Sequence, residues 1–120
     1  GAQVVLCGRA TDTSLFAAVP MMRGAGEGPA WHAAKTLECG TAATAFRKRP
    51  DSIFAWVRDD HFDVEPMDPE SRCTPQSVAS HTLYENADPY RLVESSGVID
   101  LTKAKYEALD ERRVRVRGSR

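Results

Sequence analysis

Apolar positions along this chain change period several times, and each change marks an expected element. Residues 4–7 form a short unbroken apolar run closed by Gly8, the pattern of a strand buried on both faces of a parallel sheet. Thr11, Asp12, Thr13 and Ser14 are all N-cap types. They stand just before the apolar segment 15–22, which predicts a helix with a kink or early stop where Pro20 removes an amide donor. A second helix is expected over 30–39, ending at Gly40, with Ala30, Trp31, Ala33, Ala34 and Leu37 on one side and His32, Lys35, Thr36 and Cys39 on the other. Residues 41–50 show no clear period. From 53 to 65, β-branched and aromatic residues alternate with polar ones around Asp59-Asp60, which predicts a hairpin with Phe62 and Val64 inward and His61, Asp63 and Glu65 outward.

The second half reads in the same way. Thr74-Pro75 is a helix start, and the helix is expected to reach about Glu85, burying Val78, Ala79, Thr82 and Leu83 and leaving Ser77, His81, Tyr84 and Glu85 on the opposite face. A turn at Ser95-Ser96-Gly97 leads to a short strand over 98–101, a short helix over 102–109 and a last strand over 113–117. The arginines alternating with Val114 and Val116 suit the outer face of an edge strand. These elements predict an α/β fold: a partly parallel sheet with flanking helices, plus a β-hairpin. The first residue is not Met and a strand pattern runs almost to the last, so residues 1–120 are expected to be part of a single α/β domain truncated at both ends.

Composition narrows the classes. Sixteen Lys and Arg against seventeen Asp and Glu leave a formal charge of −1, so no global charge draws the chain to nucleic acid or an anionic membrane. The arginines near the end adjoin Asp110 and Glu111 and lack interleaved stacking aromatics, which also argues against nucleic acid. No apolar run is long enough to span a bilayer, and no secretory signal opens the chain. Three widely spaced cysteines, Cys7, Cys39 and Cys73, fit reduced thiols in a cytoplasmic protein better than a disulfide frame.

The expected parallel strand directs attention to the loop behind it, because ligands collect at the carboxyl ends of such strands. Gly8, Arg9, Asp12, Thr13 and Ser14 fall there: Arg9 could pair with a carboxylate or phosphate and the hydroxyls could complete a cradle. The alternative is that Asp12 or Thr13 merely caps the helix. Gly24, Gly26 and Gly28 imitate part of a dinucleotide fingerprint but follow a helix rather than a strand, so they read as a connector. Cys73, beside Arg72 and a helix start, is the best-placed thiolate of the three, but the sequence fixes no base near it. His81 and Glu85, four apart, could share a cation with Asp59, Asp60 or His61, yet two ligands do not make a site; no metal and no particular cofactor is specified.

Several stretches resemble one family. They are Cys7-Gly8-Arg9-Ala10-Thr11-Asp12-Thr13-Ser14-Leu15, then Leu37-Glu38-Cys39-Gly40, then the segment from Cys73 to Pro89 with its His81-Thr82-Leu83-Tyr84-Glu85-Asn86-Ala87-Asp88-Pro89 string, and finally the closing segment from Asp110 to Arg120. Together they are similar to the bacterial acyclic terpene utilisation family, the AtuA-like proteins, whose members are considerably longer. The resemblance implies an α/β domain of a cytoplasmic protein linked to breakdown of branched terpenoid acids, a route through CoA thioesters and a biotin-dependent carboxylase. It carries over no established catalytic residue; Arg9, Asp12, Glu38, Cys39, His81, Tyr84, Glu85, Asn86 and Asp88 are matching candidates.

Two functions follow from this reading. In the first, an enzyme domain acts on a small-molecule carboxylate or acyl thioester, with Gly8, Arg9, Asp12, Thr13 and Ser14 binding substrate and His81, Tyr84 and Glu85 supplying the catalytic groups. That arrangement needs Arg9 and His81 within one substrate length, on the order of 10 Å. In the second, the chain is a non-catalytic module that meets the rest of its parent chain or other subunits, and an oligomer is compatible with either.

Overall fold

The computed structural model describes residues 1–8, 12–46, 48–49, 51–84 and 86–120. Two helices open it, α1 (Thr13–Met22) and α2 (Glu27–Glu38), followed by a 3₁₀ turn, Gly40–Ala43. Strand β1 (Thr44–Ala45) pairs with β4 (Arg72–Cys73), and between them lies the hairpin of β2 (Ile53–Val57) and β3 (His61–Pro66). Helix α3 (Pro75–His81) leads to a second hairpin, β5 (Arg91–Glu94) and β6 (Gly97–Asp100), and the chain closes on β7 (Lys105–Ala108) and β8 (Val114–Arg117).

The fold is mixed α/β, but the expected parallel sheet is corrected: among the described residues every strand pair is antiparallel. The main sheet runs β2-β3-β8-β7. Residues 4–7 form no strand and stand exposed, Leu6 at 96 %. An apolar run of four is long enough to suggest a buried strand but supplies no partner, and pairing is a tertiary property. The 102–109 helix is corrected too. A turn precedes β7, whose Tyr106 lies opposite Val116 of β8, so sheet pairing overrides the local helical pattern. Strand β8 is interior rather than an edge: Arg115 lies between Asp63 and Glu107 in register, and its guanidinium grips Asp63 with two bonds of 2.7 and 2.8 Å. The outer face carries charge because opposite charges face one another across strands.

The hairpin pattern holds. Phe62 and Val64 are fully buried, and with Val78, Val114 and Val116 they form the core between sheet and helices. Helix α2 departs most from expectation. It starts at Glu27 and is buried from Pro29 to Ala34 and at Thr36, so His32 lies inside instead of on a polar side. Small residues on several faces let α2 serve two clusters: Ala33 packs in the sheet core, whereas Trp31 and Ala34 join Ala17, Leu92, Ile99 and Leu101. Pro20 does not end α1, which continues to Met22. No helix among the described residues is long and apolar enough to cross a membrane.

Candidate functional site

The end of α2 is where three distant segments meet. Asp12 caps α1 by accepting from the Ser14 amide at 2.8 Å, and it also accepts from the Ser14 hydroxyl. These bonds hold its carboxyl below the usual range. The cap points Thr13 inward, and its hydroxyl donates to Glu38 Oε2 at 2.9 Å. Lys35, one turn back on α2, donates to the same oxygen at 3.1 Å and lies 3.9 Å from Glu94. From the other side, α3 begins at Thr74-Pro75 as expected, and Ser77 completes a capping box there: Thr74 accepts from the Ser77 amide and Ser77 from the Thr74 amide. It ends at His81, a turn earlier than the sequence predicts, with Thr82 to Tyr84 in a tighter turn.

That early stop changes which side chains share a face. His81 is buried and Leu83 exposed, the reverse of the expected arc, while Thr82 is buried as predicted. The His81 Nε2–H donates to the Cys39 carbonyl at 3.1 Å, so the imidazole ties α3 to the end of α2. Burial pushes its pKa down. Tyr84 stays exposed, its ring 6.0 Å from that of His81.

Between these groups opens a cleft of about 610 Å³. Its apolar wall is Phe16, Leu37 and Ile53; its polar wall is Glu38, Cys39, Thr41, Ser52 and Tyr84. Gly40 belongs to it for a steric reason, since a Cβ there would sit 2.4 Å from Ile53 Cγ1. Of the expected site residues, Tyr84 lines the cleft, Thr13 braces its carboxylate and His81 holds its backbone. Gly8 is exposed with open space around it, and Asp12 and Ser14 bond to each other. Arg9 and Glu85 lie outside the described residues, as does the Arg9–His81 separation. Glu38, a matching candidate of the family resemblance but not one of the expected catalytic groups, is held here by Lys35 at i,i+3 as well as by Thr13.

The model of the family described as acyclic terpene utilisation family protein AtuA matches residues 57–120, more than half of the chain. The chain belongs to that family. Searches of curated proteins and of solved structures each gave no match. The family match takes in β3, α3 and the strands that follow; of the cleft it covers Tyr84 and the His81 behind it, whereas Phe16, Glu38 and Ile53 precede it.

The other two cysteines lie outside the cleft. Cys73 is buried, and burial pushes its thiol up to about 11, so the expectation of a favoured thiolate is corrected. Cys7 is exposed. Among the described residues no group of His, Cys, Asp and Glu could hold a metal ion.

Proposed function

We propose that the cleft at the end of α2 binds a branched acyl group and that Glu38 is its acid–base residue. Convergence carries this reading: an apolar wall faces a carboxylate whose Oε2 is held by both Thr13 and Lys35. Clefts of about 300–1,000 Å³ with a few placed polar groups are the usual form of small-molecule sites. Phe16, Leu37 and Ile53 would take the hydrocarbon, and the Tyr84 hydroxyl would donate to the acyl carbonyl. With Oε2 engaged, Oε1 is the oxygen that takes or returns a proton next to that carbonyl.

The same carboxylate selects between the two acyl forms. A free acid would put a second negative charge beside Glu38, a repulsion on the order of 4 kcal/mol at contact distance near a protein surface. A thioester is neutral at the reacting carbon, so we favour an acyl thioester over the free carboxylate. On this reading the chain would act in cytoplasmic breakdown of branched acids, as part of one α/β domain; membership of the acyclic terpene utilisation family supports it.

Thermal shift of the intact protein tests the reading. A branched acyl-CoA should raise the melting temperature and the matched free acid should not. Phe16→Ala should reduce the response to the thioester, whereas Glu38→Gln should let the free acid bind. No shift with any acyl ligand would overturn the proposal in favour of a non-catalytic partner-binding module.

A further inference from the structure

Helix α1 is apolar where it should be polar. It carries no charged residue, and its inner side packs Thr13 and Ala17 against α2 and the second cluster. On its outer side Leu15, Val19 and Met22 are 55, 62 and 85 % exposed, and Ala18 between them is exposed as well. These four stand at i, i+3, i+4 and i+7, one continuous stripe, and the small residue sits mid-stripe where a second helix could come close. Phe16 and Met21 widen it at either flank.

Charge at the two ends of the stripe says what fits it. Exposed Asp12 precedes the helix and exposed Arg23 follows it. A second copy of α1 laid antiparallel sets Leu15 against Met22, Ala18 against Val19, and each Asp12 near the other copy's Arg23. Parallel pairing would instead bring like charges together. With roughly 150–200 Å² for each fully exposed large side chain, the stripe and its flanks offer about 500 Å² per copy, or on the order of 1,000 Å² in the pair. That lies at the lower edge of specific interfaces, as expected of a weak, reversible dimer.

We propose that this face joins two copies of the chain through an antiparallel α1–α1 contact about a two-fold axis near Ala18. Sedimentation equilibrium of the intact protein from about 1 µM to several hundred µM should show its mass rising toward twice the monomer value, over the dissociation range expected of so small an interface. Val19→Glu should weaken association by about tenfold or more, and Arg23→Glu by less, with unchanged circular dichroism. Orientation is read by cross-linking in a Cys7→Ser background: Ala18→Cys should oxidise to a covalent dimer, whereas Met22→Cys alone should not. A mass that stays monomeric across the range overturns the proposal, and so does association that Val19→Glu leaves unchanged. Efficient Met22→Cys cross-linking would overturn the antiparallel arrangement.

Discussion

Helix α2 separates two hydrophobic clusters that are finished in opposite ways. On one side, Phe62, Val64, Val114 and Val116 are fully buried, and the far face of the same strands is closed by charge, with Asp63 gripped by Arg115 and Glu107 paired with Arg117 at 3.0 Å. On the other side, Leu92, Ile99 and Ala17 are buried just as well, but the elements that cover them, α1 and the β5–β6 hairpin, show Val19, Met22, Val93 and Val98 to solvent. Both clusters bury their inner residues, so burial does not distinguish them. What differs is the outer face: alternation in β3 and β8 places a polar residue behind each apolar one, whereas beyond Thr13 and Ser14 in its first turn α1 has only apolar residues to show.

The sharpest way to break the comparison is to cut one large side chain from each cluster. Phe62→Ala should lower unfolding free energy by about 3–5 kcal/mol and Leu92→Ala by about 2–5 kcal/mol in chemical denaturation, because neither site can collapse around the lost volume. If α2 couples the clusters, each variant retains a single transition. A Leu92→Ala protein that unfolds in two steps would show the second cluster to be independent.

Arg112 gives the next effect. Its guanidinium donates to the carbonyls of Pro66 at 2.8 Å, Asp68 at 3.0 Å and Ser71 at 3.1 Å, clamping the loop between β3 and β4. Arg112→Ala should cost roughly 2–3 kcal/mol, since it strands buried acceptors on the sheet side only.

Acid should act through the helix that the clusters share. His32 Nδ1 lies 2.7 Å from Ser119 Oγ, while its Nε2 is buried without a partner among the described residues. Burial, with a smaller contribution from His81, pushes the His32 pKa down to about 3. The fold therefore favours the neutral ring. Above about pH 6.5 neither state is protonated and nothing is lost. Below it the unfolded chain gains a proton that the folded one refuses, so stability falls by about 1.4 kcal/mol per pH unit down to the folded pKa. Between pH 6.5 and 5 the loss through His32 should be about 2 kcal/mol, and His32→Phe should reduce the slope of that segment to what His81, also held down by burial, contributes. Smallest of all, Val93→Thr on the exposed side of β5 should change stability by less than about 0.5 kcal/mol.

How much was legible follows from the range over which each feature is encoded. Asp12 and Thr74 act on amides two or three residues away, and their caps are readable from composition and spacing, whereas the reciprocal bond from Ser77 is not. The hairpin of β2 and β3 was readable for the same reason, because its alternation and its turn are contiguous. The length of α3 was not: a periodic pattern continues past His81, but the chain tightens into a turn as the imidazole reaches the Cys39 carbonyl. The cleft was legible only in part. Thr13 and Tyr84 are legible as site residues and Glu38 as a candidate of the resemblance, but only the bond from Thr13, twenty-five positions away, makes Glu38 the central group.

Local chemistry by itself determined where α1 and α3 begin, that Phe62 and Val64 point inward, and, through the resemblance, the family to which the chain belongs. Tertiary structure alone decided that the strands pair antiparallel, that residues 105–108 join a sheet, that His32 is enclosed and that Glu38, Cys39, Tyr84 and Ile53 share one cleft. A cap or an alternation is settled by neighbours in the chain. A partner strand, a buried imidazole or a cleft depends on free energies that arise only when distant segments exclude water between them.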